Sequence, residues 1–275
     1  MVAAGLSSGL GGPTQNVDRF IPYLLDDGSL NFLAVTNGTL LTNVPLHYNV
    51  STDYKESVAI DDRNKSMLIR TWAGNDLFAD TNANAAPAHI DGGLGLDTAS
   101  YSKASSTYQI THNSDGSIKV AGNGIVDMLV NIERLQFTNK KIALDLGTTE
   151  HGGQALEFIG LMAPTLIKTP SVVGLILDLF DQGKSLHDVC QLALDVGLVN
   201  SIAGSGTDAA LAAMAFRNVV GSEPDAATID TLVGYIDGRH ASYTQAEFMS
   251  VVAGLEVNQT HIGLIGLQQT GVEFV

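Results

Sequence analysis

A glycine-rich segment with one aspartate offers the clearest ligand chemistry in this chain. Residues 92–100 read GGLGLDTAS and fit the nonapeptide G-G-x-G-x-D-x-U-x, with the small Ala99 at the usually bulky U position. Such nonapeptides build calcium-binding parallel β-turns, because glycine tolerates the positive φ that turns carbonyl oxygens inward. Asp97 supplies the carboxylate oxygen that a hard cation prefers. The segment therefore predicts a Ca²⁺ site.

A degraded copy of this turn precedes it in the sequence. When Asp76 is aligned with Asp97, Gly74 stands opposite Gly95 within AGNDLF (73–78). The copies are 21 residues apart, which is not a multiple of nine, so TNANAAPAHI (81–90) is expected to loop out between them. The candidate metal ligands are the carboxylates and the glycine-bearing turn residues of this region: Asp76, Asp91, Asp97, Gly74, Asn75, Gly93 and Gly95.

Several unlike motifs follow one another between residues 70 and 146. They are AGND, IDGGLGLDT, a strand containing tyrosine, DMLVNIERLQF (127–137) and a short ALD segment (143–145). This order resembles the calcium-binding region of RTX (haemolysin-type) secreted proteins. The resemblance implies a β region that folds outside the cell once calcium binds. It also implies that Asp127 and Asp145 lie near the metal region, and it leaves open which of them bind. Only one full nonapeptide is present, so a long β-roll is not expected.

The second half of the chain has helical spacing and capping signals. Ser185 to Asp188 form a capping box of the S-x-x-D kind. Ser222 and Ser242 open the segments before two further helices, and Gly183 and Gly238 are expected to end helices with a positive φ. Segments 175–200 and 230–258 share this order of helix, glycine, capping serine and helix. They therefore predict two repeated helix pairs that bury their faces against each other.

This helical half, about residues 153–275, resembles a helical domain common at the C-termini of type I secreted proteins. Its final residues, GLQQTGVEFV, are similar to the secretion-signal end of such proteins. A terminal helix packed on the bundle is the alternative. The resemblance implies export by a type I secretion machinery.

Together these features predict an α+β fold in three parts. Residues 1–16 are expected to form a flexible arm, and 17–147 a β domain with its calcium-binding region at about 70–146. Within the β domain, Asp-Gly and Asn-Gly pairs predict hairpins between residues 19 and 50. Residues 153–275 are expected to form the helical bundle, with the secretion signal at its end.

Charge and length restrict where the protein works and what it binds. The chain has 275 residues with 29 Asp and Glu against 14 Lys and Arg, and a formal charge of −15 argues against nucleic acid or anionic lipid as a partner. The sequence contains no run of eighteen apolar residues, so we expect no transmembrane helix. The amino terminus, MVAAGLSSGLGGP, lacks the basic residues of a secretory signal. Calcium modules of this kind work outside the cell. We therefore expect an extracellular or cell-surface protein secreted without an N-terminal signal peptide.

Catalytic motifs are missing from the sequence. The seven histidines include no H-E-x-x-H pair, no G-x-S-x-G elbow occurs, and no P-loop is present. The single cysteine, Cys190, lies in an apolar helical pattern and is expected in the core. We therefore expect a protein that is not an enzyme.

Three functions fit these observations. The preferred one is a calcium-binding structural or adhesive protein, such as a self-assembling surface-layer, filament or matrix subunit, which associates with itself or with cell-surface polysaccharide or protein. The second is the C-terminal folding and export portion of a larger secreted hydrolase. The third is a calcium-dependent carbohydrate-binding module. Glycan binding with and without EDTA separates the third from the others.

Overall fold

The computed structural model describes the following residues: 19–24, 30–36, 39–44, 57–60, 67–70, 73–80 and 88–275, with side chains for 73–79 and 88–275. The chain is α+β and divides into two compact units, Met1–Asn139 and Lys140–Val275. The predicted arm, 1–16, lies outside the described residues. The regular elements in the described part of the first unit are strands and one 3-10 helix at Ser105–Thr107.

An antiparallel sheet near the start of the first unit confirms the strands predicted there. Its strands are β1 (Arg19–Leu24), β2 (Leu30–Thr36) and β3 (Thr39–Val44), in the order β1-β2-β3. The Asp-Gly and Asn-Gly pairs that were expected to join them lie outside the described residues.

Two further sheets contain parallel strands and form a short solenoid. The first parallel set is β5 (Met67–Arg70), β7 (Ala88–Asp91) and β11 (Ile125–Val130). The second is β4 (Ser57–Ile60), β6 (Leu77–Asp80), β8 (Thr98–Ser100) and β12 (Arg134–Gln136). In sequence, β5 leads to β6, β7 to β8 and β11 to β12. The chain thus passes three times from the first set to the second.

A hairpin extends the first parallel set. Strands β9 (Tyr108–His112) and β10 (Ile118–Gly122) pair antiparallel, and β10 also pairs antiparallel with β11. The turn between β9 and β10 contains Asp115 and Gly116. Asp115 is exposed and accepts hydrogen bonds from the amide and the hydroxyl of Ser117, so it serves the turn alone.

The interior of the solenoid is built from side chains in register. Phe78, Ala99 and Leu135 occupy equivalent positions on β6, β8 and β12, and all three are buried. Ile90 and Leu129 are equivalent on β7 and β11 and are also buried. The small Ala99 at a usually bulky position therefore lies between two large apolar side chains that fill this layer.

The second unit consists mainly of helices. They are α1 (His151–Met162), α2 (Pro170–Asp181), α3 (Leu186–Asp195), α4 (Leu198–Ala203), α5 (Asp208–Val220), α6 (Ala226–Val233), α7 (Gln245–Ala253), α8 (Glu256–His261) and α9 (Leu264–Gln268), with a 3-10 helix at Pro164–Lys168. Helix α3 contacts α7, and α1 contacts α2, α5 and α7. Phe158, Phe180 and Met249 are among the side chains buried in the core.

An antiparallel strand pair completes the second unit. Strand β13 (Lys141–Ala143) pairs with β14 (Val272–Phe274), and Lys140 forms an ion pair with Glu273. The sequence offered a terminal helix for the last residues of the chain. They instead form α9 followed by strand β14. The sequence had grouped Lys141 to Leu146 with the β domain, whereas contacts place Lys141–Ala143 in the second unit.

Helix caps in this unit agree only partly with the sequence. Ser185 and Asp188 form the predicted capping box, and Gly183 ends α2 with φ +86°. Ser242 is not a cap, because α7 begins at Gln245 and Thr244 caps it. Gly238 has a positive φ but lies beyond the end of α6. Helix α6 ends before Gly234, and the Gly234 carbonyl accepts the His240 amide.

The cap position gives a testable difference between two neighbouring hydroxyl residues. Thr244 Oγ1 accepts the Glu247 amide, and the Glu247 carboxylate accepts the Thr244 amide. Thr244→Ala should therefore lower the free energy of unfolding of the helical unit by about 1 kcal/mol. Ser242→Ala should change it by less than about 0.5 kcal/mol. Urea unfolding followed by the helical circular dichroism signal measures both, and equal effects would contradict this cap assignment.

Candidate metal centre

The two turns that the sequence aligned lie directly beside each other. Leu77 pairs with Thr98, so Asp76 and Asp97 hold equivalent positions, and Ala73 forms a parallel bridge with Leu94. The Gly74 amide donates to the Leu94 carbonyl at 2.8 Å. The predicted alignment of AGNDLF (73–78) with LGLDTA (94–99) is therefore confirmed in the backbone. The predicted insertion is shorter than expected, because Ala88–Asp91 forms β7.

Glycine is required where these turns touch. Gly74 and Gly95 have φ values of +124° and +140°, a region that L residues rarely adopt. A Cβ atom on Gly95 would lie 1.9 Å from the carbonyl oxygen of Gly74. The turns can stack this closely only because Gly95 carries no side chain.

A third turn, which the sequence analysis missed, lies on the other side of Asp97. Thr98 pairs with Arg134 and Asp91 with Val130, so Glu133 occupies the position of Asp97 in the next turn. Asp97 and Glu133 are 36 residues apart, which equals four nonapeptide lengths. This interval is the sequence signal that could have indicated the third turn. The third turn contains Asn131 to Glu133 only and has no glycine, so the segment DMLVNIERLQF that contains it gave no indication of a ligand-binding turn.

The acidic side chains of successive turns form a regular ladder. The Asp76 amide donates to Asp97 Oδ1 at 2.7 Å, and the Asp97 amide donates to Glu133 Oε2 at 2.7 Å. Each carboxylate thus accepts the amide of its equivalent in the preceding turn. Asp76 and Asp97 are both buried.

The remaining predicted residues line the same turns. Asp91 ends β7, and its Oδ1 accepts the side-chain amide of Asn131 at 2.8 Å. Asn75 is exposed, and its Oδ1 accepts the Leu96 amide at 3.0 Å. Gly93 has φ +84° within the second turn. The structure therefore brings the predicted residues into one region, with the Asn75 side chain already engaged.

Asp127 and Asp145, the two aspartates named from the resemblance, each accept a main-chain amide. Asp127 is buried on β11, where its Oδ1 accepts the Ala88 amide at 3.0 Å. Asp145 belongs to the second unit, and its Oδ2 accepts the amide of Gly152 in the first turn of α1 at 3.1 Å. A carboxylate at a helix N-terminus is stabilised by the helix dipole. Asp127 thus supports a strand, and Asp145 supports a helix.

Burial makes the charge of Asp97 costly. Desolvation raises the pKa of Asp97 to about 8 against a smaller lowering by the hydrogen bond from the Asp76 amide, and repulsion from Asp76, Glu133 and Asp91 adds to the rise. Asp97 Oδ2 is buried and has no hydrogen-bond partner among the described residues. A buried anion without compensation is strongly disfavoured, so this oxygen fits a proton or a cation.

Side chains alone do not assemble a metal site in the described part of the chain. No three His, Cys, Asp or Glu residues there are grouped so as to hold an ion. Calcium differs from transition metals because it takes six to eight oxygen ligands, including backbone carbonyls. A glycine-bent turn with one or two carboxylates suits that chemistry, and Asp97 Oδ2 is the oxygen that a cation would satisfy.

Two groups in the second unit have side chains that can take part in catalysis in other settings. His151 Nδ1 lies 2.9 Å from Asp181 Oδ1. Cys190 is fully buried in the helical core, as predicted, and burial raises the pKa of its thiol to about 12. A thiol of that pKa is protonated and unreactive near neutral pH.

Comparisons with family models, with curated proteins and with solved structures found no match for this chain. Within the described residues, none of the helices combines the length and the hydropathy that a bilayer crossing requires.

The raised pKa of Asp97 predicts how pH affects the first unit. Because the folded pKa exceeds the ordinary value of 3.8, the metal-free unit should be most stable below that value and lose stability as pH rises toward 8. A calcium ion bound at Asp97 would compete with the proton, so calcium affinity should rise with pH, by at most about tenfold per unit, up to pH 8. Thermal melting in EDTA and calcium titrations between pH 5 and pH 9 measure both trends. A pH-independent affinity would contradict the role of Asp97.

Proposed function

We propose that the first unit is a calcium-stabilised β solenoid and that the chain is a secreted structural or adhesive protein. The observation that carries this proposal is the buried Asp97 carboxylate, whose Oδ2 has no hydrogen-bond partner among the described residues. It lies in a turn that glycines bend tightly, against a second turn of the same backbone form. An ion with oxygen ligands would offset the charge that burial makes unfavourable.

The residues that would hold the ion come from the stacked turns. Asp97 supplies a carboxylate oxygen, Asp76 and Asp91 supply further negative charge, and Gly74, Gly93 and Gly95 allow the backbone to direct carbonyl oxygens. Bound calcium would contribute Coulombic attraction to these oxygens. The protein's own contribution is to hold the carboxylates in register through the ladder of amide hydrogen bonds, so that the ion meets a partly formed site.

Calcium-dependent folding of the first unit is the direct test. The β signal in far-UV circular dichroism should be weaker in EDTA than in millimolar calcium, because clustered carboxylates repel each other and destabilise the unit until a cation binds. Magnesium at the same concentration is the control, since its smaller shell suits such turns poorly. An equal β signal in EDTA and in calcium would contradict the proposal.

An extracellular setting follows from the same chemistry. Calcium reaches the roughly 10⁻⁴–10⁻³ M needed by extracellular modules only outside the cytosol. The surplus of 29 acidic over 14 basic residues supports a surface that attracts divalent cations. Export by a type I secretion machinery would allow the unit to fold only after it reaches calcium.

Self-association is the structural role that we propose for the second unit. Its described surface carries large apolar side chains that are more than half exposed, namely Leu175, Val196, Ile265 and Val275. Exposed apolar side chains of this size are typical of contacts with another molecule when they form a patch. Size-exclusion chromatography and electron microscopy should show oligomers that depend on calcium. Monomers at every calcium concentration would rule out an assembly subunit.

A further inference from the structure

The orientation of the Asp97 carboxylate separates its two oxygens. Asp97 Oδ1 faces the first turn, where it accepts the Asp76 amide. Asp97 Oδ2 lies on the side of Gly92, where a Cβ atom would be 2.5 Å from it. The same Cβ position is 2.2 Å from the main-chain carbonyl oxygen of Asn131 in the third turn. The oxygen without a hydrogen-bond partner is therefore beside the third turn.

Two acceptor oxygens thus approach one point. Asp97 Oδ2 and the Asn131 carbonyl oxygen each lie within 2.5 Å of the position that a Gly92 Cβ would take. Two ligands of a single calcium ion, each at about 2.3–2.6 Å, are separated by up to about 5 Å. The spacing of these two oxygens is therefore within the span of one ion, and their lone pairs repel each other without a proton or cation between them.

The third turn also brings negative charge to this place. Glu133 Oε2 accepts the Asp97 amide, which fixes its carboxylate beside Asp97. Asp91 is held at the same turn by the side-chain amide of Asn131. Repulsion from Glu133 and from Asp91 contributes to the raised pKa of Asp97, which agrees with their proximity. Because the third turn spans only Asn131 to Glu133, its carbonyl and its carboxylate are both close to the second turn.

We propose that a calcium ion binds between the second turn (92–97) and the third turn (131–133), with Asp97 Oδ2 and the Asn131 main-chain oxygen as ligands and with Glu133 and Asp91 balancing its charge. This inference rests on the proposed function, and it assigns to the metal centre two residues, Asn131 and Glu133, that the motif did not mark. The ion then joins β8 to β12 at the closing turn of the solenoid.

Substitutions can separate the contribution of the Glu133 side chain to calcium binding from that of the Asn131 main-chain carbonyl. Glu133→Gln keeps an oxygen that can accept the Asp97 amide and removes the charge, so it should weaken calcium binding by about tenfold or more without lowering the melting temperature in EDTA. Asn131→Gly keeps the carbonyl and suits the φ of +51° but removes the side-chain amide that holds Asp91, so calcium affinity should fall by less than in Glu133→Gln. Asp115→Asn, in the exposed turn between β9 and β10, is the matched control and should leave the affinity unchanged.

Isothermal titration of the full chain with calcium chloride provides the measurement, with thermal melting in EDTA for each variant. If the wild type binds calcium and Glu133→Gln binds it equally well, the site between the second and third turns is wrong and the proposed function stands. If Asn131→Gly weakens calcium binding more than Glu133→Gln does, while its EDTA melting temperature is unchanged, the Asn131 side chain is the ligand, which overturns the assignment of the carbonyl. If the wild type binds no calcium, both the inference and the proposed function fail.

Discussion

Asp97→Asn is expected to abolish the stabilisation of the first unit by calcium and to raise its melting temperature in EDTA. The Asn Oδ1 can still accept the Asp76 amide, and its Nδ2 can donate on the side where the Asn131 carbonyl lies. The variant thus replaces a buried charge, whose pKa burial raises to about 8, with a neutral hydrogen-bonding group. The increase in melting temperature that Asp97→Asn causes in EDTA should be greater at pH 9 than at pH 6, because the wild-type Asp97 carboxylate is charged at the higher pH.

The free energy of stabilisation by calcium that Asp97→Asn should lose follows from mass action. A ligand at one hundred times its dissociation constant stabilises a folded unit by about 2.7 kcal/mol. The wild type should show a shift of that order between EDTA and saturating calcium, whereas Asp97→Asn should show almost none. Asp115→Asn is the control, because Asp115 is an exposed turn residue whose substitution should preserve the calcium response. A full calcium response in Asp97→Asn would remove Asp97 from the metal centre.

Gly95→Ala should be the most destabilising single substitution in the turns. Its new Cβ would lie 1.9 Å from the Gly74 carbonyl oxygen, which belongs to the backbone and can move only if the two turns separate. The φ of +140° adds strain, because non-glycine residues rarely adopt it. Together the clash and the strain should cost about 3 kcal/mol or more, and calcium should not restore the stability.

Gly116→Ala separates the cost of the steric clash at Gly95 from the cost of backbone strain at a positive φ. Gly116 also has a positive φ, +85°, in the turn between β9 and β10, but a Cβ there would meet no atom within 4 Å. This substitution should cost only about 1–2 kcal/mol, since it adds backbone strain alone. Thermal melting of both variants in calcium and in EDTA provides the comparison. Equal losses would show that the contact between Gly95 and Gly74 does not control the stacking of the turns.

Local patterns in the sequence predicted much of this chain. The alignment of Asp76 with Asp97 is correct because glycine at a fixed distance before aspartate encodes a particular backbone turn. The Ser185 capping box is correct because the amides at a helix N-terminus need an acceptor within a few residues. The α+β class was readable because apolar spacing changes from strand-like to helical near Gly147.

The errors arose where neighbouring residues compete for the same role, or where pairing with a strand distant in sequence defines a position. Two hydroxyl residues precede α7, and Thr244 rather than Ser242 is the cap because Glu247 can complete a capping box only with Thr244. Gly238 was expected to end a helix, but α6 ends at Val233, after which the Gly234 carbonyl accepts the His240 amide. The third turn was missed because register with Asp97, and not a glycine motif, defines it.

The sequence by itself determined the glycine-bent turns, the carboxylates within them and the helical character of the second half, because these depend on residues close together in the chain. Only the tertiary structure decided which of these carboxylates is buried, which oxygen lacks a hydrogen bond and which distant carbonyl lies beside it. Desolvation and ligand geometry depend on the neighbours that each strand acquires. The Asp97 carboxylate meets Asn131 and Glu133 only because β8 and β12 pair in parallel register.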